Sequence, residues 1–223
     1  PQNQVFGVAQ NVWAAESEAP RPTPRLATRR SADIVIIGGG FTGVSTAWHL
    51  RQRHPDLGIV LLEAGVLGHG ASGRNGGQVL HGVNGVNGVT AETPETLRRI
   101  HDVTRLGIDL AEQWASRYAP PGTFRRHGCL EVYTDAHRAE QAQARVEAWR
   151  GAGIAAEFLP AHTLGIQHAC GAILDPHAGR LNGFALLQAM RPVLERAGVT
   201  VCEDTPVQRV RPGAEVVVEA PHG

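Results

Sequence analysis

An apolar run, Ile34-Val35-Ile36-Ile37, leads without a break into Gly38-Gly39-Gly40-Phe41-Thr42-Gly43. Few folds accommodate that join. The run has the length and composition of a fully buried strand, and Gly38, Gly40 and Gly43 satisfy G-x-G-x-x-G. The spacing predicts a helix next, with Val44, Ala47 and Leu50 on one face, and then a second apolar strand, Ile59-Val60-Leu61-Leu62, ending at Glu63. This is the order a dinucleotide-binding unit requires. Gly38 permits the tight turn, Gly40 lets backbone approach a pyrophosphate, and Gly43 lets helix and strand pack closely. The helix N-terminus faces the phosphates, and an acid about twenty positions on meets a ribose hydroxyl.

Glu63 and Ala64 are followed by a second glycine-rich stretch, Gly65 to Gln78, with six glycines. So many glycines preclude a regular helix and expose backbone N–H groups, which suits a loop wrapped around an anion. Ser72, Arg74 and Asn75 add side-chain donors, and Arg74 can offset phosphate charge.

Composition narrows the classes. At 223 residues and 42% hydrophobic the chain holds one large domain or two modest ones. A formal net charge of zero indicates no nucleic-acid partner. Cys129, Cys170 and Cys202 lack a C-x-x-C pair, which points away from a disulfide framework or a zinc site and toward a reducing compartment. No apolar run approaches a membrane span. Arg29-Arg30 precedes a strand and a glycine loop, not an export segment. A cytoplasmic protein is expected.

Together, V-I-I-G-G-G-F-T-G, L-L-E-A and G-H-G-A-S-G-R-N-G-G-Q resemble the FAD-dependent oxidases of the D-amino-acid-oxidase-like family, and most nearly their gamma-glutamylputrescine oxidase branch. Support comes from F-R-R-H-G-C-L-E-V-Y at 124–133, D-P-H-A-G-R-L-N-G at 175–183 and G-V-T-V-C-E-D-T-P-V at 198–207. The resemblance implies an α/β chain, a Rossmann-like FAD-binding domain interleaved with an α+β substrate domain, with the C-terminal part of the family's length missing. The implied cofactor is FAD. The cofactor-binding residues expected are Gly38, Gly39, Gly40, Phe41, Thr42, Gly43, Glu63, Ala64, Gly70, Ala71, Ser72, Arg74, Asn75, Gly76, Gly77 and Gln78. Val207 reads equally as a core valine or, by the resemblance, as backbone near the adenine. The implied chemistry is oxidation of the CH–NH bond of a small amine or amino acid, with dioxygen or another acceptor reoxidising the flavin. The rest of a family member's length would continue beyond Gly223, and the chain reads as an N-terminal fragment, inactive when expressed alone.

The remaining segments are assigned in order. Residues 1–30 read as a basic, proline-broken arm anchored by Phe6 and Trp13; 31–83 as the first part of the FAD-binding domain; 84–180 as the first part of the substrate domain; 181–223 as the return to the FAD-binding domain. Asn84-Gly85 and Asn87-Gly88 signal turns. Thr93-Pro94 opens a helix bearing Leu97, Ile100, Trp114 and Tyr118, which Pro120-Pro121 ends. Thr123 to Thr134 reads as one strand. Asp135 caps a helix carrying Ala139, Ala142, Val146 and Trp149, ended by Gly151 and Gly153. Leu187, Met190, Leu194 and Ala197 form a helical stripe stopped by Gly198. Pro192 within it costs about 3 kcal/mol in a helix interior, so a kink or a late start is expected. Val199–Glu203 reads as a strand beside the Glu63 strand, and Val216-Val217-Val218 as a further one.

No catalytic residue is assigned and no metal site is expected. The eleven histidines contain no ligand-spaced pair, and Ser72 sits in no G-x-S-x-G elbow. His69 and His81 flank the second glycine loop, where they can approach a flavin. The competing classes are an NAD(P)-dependent dehydrogenase, against which the second glycine loop and the E-A ending argue, and a non-catalytic nucleotide-binding fragment.

Overall fold

The structure is a computed structural model describing residues 11–17, 23–81 and 93–221. Phe6 and the turns at Asn84-Gly85 and Asn87-Gly88 lie outside the described residues. In chain order the elements are α1 (Val12–Ala15), β1 (Ile34–Ile37), α2 (Phe41–Arg53), β2 (Ile59–Leu62), a 3-10 turn at Ala71–Gly73, β3 (Gln78–Val79), α3 (Pro94–Tyr118), β4 (Phe124–Arg126) and β5 (Cys129–Tyr133). There follow α4 (Ala136–Gly151), β6 (Glu157–Pro160), α5 (Ala161–Leu164), β7 (Gly171–Asp175), β8 (Gly179–Leu181), α6 (Gly183–Arg196), β9 (Thr200–Cys202), β10 (Arg209–Arg211) and β11 (Val217–Glu219). Among the described residues no helix is long and apolar enough to cross a membrane.

The chain divides into two compact units. The first comprises the described residues of Pro1–Gly77, Trp114–Thr123 and Asn182–Gly223; the second comprises those of Gln78–Gln113 and Phe124–Leu181. The first unit is built on a parallel three-stranded sheet in the order β1-β2-β9. The central strand β2 is buried at all four positions. One sheet face receives α2, through Val44 and Ala47, both fully buried. On the opposite face Val60, Leu62 and Cys202 pack with Leu26, Ala32, Val207 and Val218.

β1 is not the fully buried strand its composition predicts. Its burial alternates, and Val35 and Ile37 are 38% and 52% exposed. The register pairs Val35 with Val60 and Ile37 with Leu62, so both point to the face that Leu26, Ala32, Val207 and Val218 cover. That cover reaches β2 and β9 but stops short of β1.

α6 packs on α2, β9 and the 3-10 turn. It buries Phe184, Leu186, Leu187, Met190 and Leu194 almost completely. The helix starts at Gly183, directly after the Asn182 cap, and runs continuously through Pro192 to Arg196. It does not start late. Burial of this apolar stripe outweighs the local cost of the proline. The end of α3 also belongs to this unit: Trp114 and Tyr118 meet the Trp48 ring edge-on at 6.4 and 6.2 Å between centroids.

The second unit has two antiparallel sheets, β3-β8-β4 and β5-β7-β6. The single strand expected over Thr123–Thr134 is two strands in different sheets. The chain breaks at His127-Gly128, where Gly128 has φ +77° and an added Cβ would press on the Asp175 carbonyl and the Leu174 side chain, both at 3.2 Å. α4 covers the second sheet, with Ala142 and Val146 packed on Ala156 and Ile173. Its cap is the expected one: the Asp135 carboxylate accepts from the Arg138 N–H at 2.8 Å.

Candidate functional site: two glycine loops joined through Ser72

The first glycine loop follows from two close approaches. Gly38 has φ +101° as the chain turns from β1, a conformation side-chain-bearing residues rarely adopt. A Cβ at Gly43 would overlap the carbonyl oxygen of Gly38 and approach the Ile36 side chain to 3.4 Å, so α2 can lie against β1 only with glycine there. The Glu63 carboxylate, half-buried at the end of β2, accepts from Gly39 N–H at 2.7 Å and from Gly65 N–H at 2.8 Å. Each oxygen keeps a second lone pair. Glu63 therefore ties the first loop to the start of the second and can still accept from a ligand hydroxyl.

The second loop repeats this construction. Gly68 has φ +77°, and a Cβ at Gly73, five residues on, would overlap the Gly68 carbonyl oxygen. Gly68 N–H donates to the Gly39 carbonyl at 2.9 Å, linking the loops by backbone. Ser72 completes the join. Its Oγ accepts from Phe41 N–H at 3.1 Å, capping the N-terminus of α2, whose own N-cap, Gly40, has no side chain. The Ser72 O–H hydrogen remains to be donated outward. The next amides of α2, on Thr42 and Gly43, have no intrahelical acceptor, and the helix dipole places partial positive charge there.

The other residues expected from the sequence divide by task. Arg74 Nε donates to the His69 carbonyl at 2.6 Å. Asn75 spends its amide within the loop: Nδ2 donates to the Ala71 and Ser72 carbonyls, both at 3.2 Å, and Oδ1 accepts from Gly77 N–H at 2.8 Å. Ala64, Gly70, Ala71 and Gly76 are exposed, and at Gly70 and Gly76 an added Cβ would meet nothing within 4 Å. Val207 packs its side chain against the β2 and β9 core. Gln78 lies in β3 of the second unit, paired with Arg180.

Sequence reasoning missed the buried charges behind the loops. Glu203, 2% exposed, forms an ion pair with Arg191 at 2.9 Å and accepts from Leu67 N–H at 2.7 Å and from the Thr23 hydroxyl. It anchors the loop at Leu67, one residue before Gly68. An acid at the end of a buried strand was the available signal. The histidine grouping in the second unit also had no signature in the sequence. His81 Nδ1 lies 2.7 Å from Asp175 Oδ2, and its ring stacks on His101 at 4.5 Å. Burial, and then the neighbouring His81, hold the His101 imidazole below 6.5. Burial pushes the Asp175 carboxyl up, but the hydrogen bond and charge of His81 outweigh it and hold the group below 3.8.

Residues 33–223 match the model of the FAD dependent oxidoreductase family, and the chain belongs to that family. It is 26% identical over 217 residues to gamma-glutamylputrescine oxidoreductase of Escherichia coli strain K12, covering 95% of this chain and 50% of that protein. Its fold is similar to that of L-amino acid deaminase from Proteus myxofaciens, with a TM-score of 0.72, 18% identity, and coverage of 93% of this chain and 46% of the other. Glycine oxidase from Geobacillus kaustophilus aligns with a TM-score of 0.68 and 22% identity, over 86% of this chain and 52% of the other. The chain thus spans about half the length of these relatives. The family's cofactor is FAD, and the residues present fit its adenosine diphosphate half: a helix N-terminus, a serine hydroxyl with its hydrogen still to donate, an acid with lone pairs left to accept, and exposed glycines.

Proposed function

We propose that this chain carries the adenosine diphosphate cradle of an enzyme that oxidises the CH–NH bond of a small amine or amino acid to an imine, with gamma-glutamylputrescine-like compounds as the leading substrate class. The observation that carries the cofactor reading is the Ser72 bond to Phe41 N–H, which brings the second glycine loop onto the N-terminus of α2. The dinucleotide fingerprint of a nicotinamide-binding unit calls for the first loop alone, so the second argues against that class. The substrate class is supported by the name of the Escherichia coli relative and by the amino-acid-acting enzymes among the structural neighbours.

In this reading Gly38 to Gly43 and the α2 amides receive the pyrophosphate, with the Ser72 hydroxyl donating to it. Glu63 accepts from the ribose. Ala64, Gly70, Ala71 and the run from Arg74 to Gly77 line the second side, and the Val207 backbone lies by the adenine. FAD, when bound, supplies the two-electron acceptor. The chain's own residues hold and orient it and keep the phosphate charge matched. Dioxygen is one candidate for the terminal acceptor and the cytoplasm the expected setting.

The test uses the full-length protein. Flavin released by denaturation is quantified, and turnover is followed by peroxide formation and by dye reduction with gamma-glutamylputrescine, glycine and sarcosine. About one FAD per chain and turnover on an amine are expected. A protein without flavin, or one reduced only by NAD(P)H, would overturn the reading.

A further inference from the structure

The segment before the first strand makes a specific connection to the second glycine loop. Asn11 Oδ1 accepts from Trp13 N–H at 3.0 Å and starts α1. The Trp13 ring is 7% exposed, and its Nε1–H donates to the Asn75 carbonyl at 2.7 Å. The Trp13 carbonyl is itself held: Ser17 Oγ donates to it at 2.6 Å and Asn182 Nδ2 at 3.3 Å. Asn182 Oδ1 accepts from Ala185 N–H at 2.9 Å and caps α6. A single asparagine thereby fixes the tryptophan to the helix on which the 3-10 turn packs.

The carbonyl of Asn75 and the N–H of Gly76 belong to one planar trans peptide, so they point in opposite directions. Turning the carbonyl toward the buried indole turns the Gly76 N–H away from it. Gly76 is exposed and has open space beside its Cα. The Asn75 side-chain bond to Gly77 N–H closes a ring that contains this peptide, so the turn and the indole hold its plane from two sides.

We propose that Trp13 is a positioning residue for FAD: with the Asn75 turn, its indole N–H holds the Asn75-Gly76 peptide plane and so presents the Gly76 N–H to the cofactor. The proposal rests on the cofactor reading above. It makes the N-terminal segment part of the binding apparatus, though that segment precedes the residues matched by the family model.

The test measures FAD affinity of the full-length apoprotein by flavin fluorescence quenching, beside its thermal unfolding midpoint. Trp13→Phe keeps a buried ring and removes the donor. An increase in Kd of about fivefold is expected, the worth of one neutral hydrogen bond, beside a fall of a few degrees in the apoprotein midpoint from the lost bond itself. Gly76→Pro deletes the N–H on which Trp13 acts, so in that background Trp13→Phe should change Kd by less than about twofold. A full fivefold loss in both backgrounds would reduce Trp13 to packing and overturn the proposal. Gly40→Val separates the two levels. If it abolishes binding while Trp13→Phe leaves Kd unchanged, the Trp13 proposal fails and the cofactor reading stands. If Gly40→Val binds FAD normally, the placing of the pyrophosphate at the first loop fails and the Trp13 proposal with it.

Discussion

The two glycine loops share one geometric device and differ in what supports it. In each, a glycine with positive φ is followed five residues later by a glycine whose Cβ position is filled by the first one's carbonyl: Gly38 with Gly43, and Gly68 with Gly73. Beyond that point they diverge. The first loop opens into α2, a 13-residue helix with Val44 and Ala47 fully buried. The second opens into three residues of 3-10 helix, and side chains keep it in shape: Asn75 across the turn, Arg74 to His69, Glu203 at Leu67 and Trp13 from a distant segment. A loop that leads into a packed helix draws its stability from a hydrophobic face. A loop that leads nowhere must be tied by hydrogen bonds, each worth about 1 kcal/mol net.

The largest effect should come from breaking the shared device in the first loop. Gly43→Ala puts a methyl group into the backbone of Gly38, which cannot rotate away. A loss of about 3 kcal/mol or more in denaturant unfolding is expected, with no flavin retained. Gly73→Ala makes the same collision in the second loop, where neighbouring ties can yield, so its stability cost should be smaller while flavin is still lost. Equal costs would erase the distinction drawn between helix-backed and side-chain-tied loops.

Gly40→Val comes next, because its Cβ would meet the Ser72 hydroxyl at 2.8 Å, a side chain that can turn aside. The expected product is folded apoprotein, with an unfolding free energy within about 1 kcal/mol of the parent. Normal flavin content in the purified variant would show that this glycine serves the fold alone.

Glu63→Ala tests the point where the loops are joined. It removes the acceptor for Gly39 and Gly65 N–H as well as the proposed ribose contact. FAD binding should weaken by roughly 1.5 to 3 kcal/mol, as for a charged hydrogen bond, and the apoprotein should also lose stability. Titration of folded variant with FAD decides; unchanged affinity removes Glu63 from the contact and leaves it a purely structural tie.

The smallest structural effect is expected at Gly70, which has extended backbone at φ −77° and open space around its Cα. Gly70→Ala should alter stability by less than about 0.5 kcal/mol. Its FAD affinity is the sharper measurement: a decrease without a stability change would identify an open glycine kept for the ligand, and no change in either would mark an incidental one.

The sequence by itself determined the local order of the nucleotide unit. Strand, glycine turn, helix and strand are written in short-range patterns of burial and backbone freedom. So are the Asp135 cap of α4, the parallel pairing of β9 beside β2, and the ends of α3 at Thr93-Pro94 and Pro120-Pro121. Family membership was legible for the same reason, since the motif residues lie close together in the chain. Tertiary structure alone decided features that depend on what covers a surface or meets a group from far away. Val35 and Ile37 are as apolar as Val60 and Leu62, yet only the latter pair is covered, because segments from elsewhere in the chain reach β2 and β9 but not β1. Thr123–Thr134 reads as one strand until Gly128 turns it from one sheet to another. The bonds of Glu203 to Leu67 and Arg191, and of Trp13 to Asn75, join residues 136, 12 and 62 positions apart. Local periodicity carries no record of the two longer of these, because a hydrogen-bond partner is chosen by proximity in space after the backbone has folded.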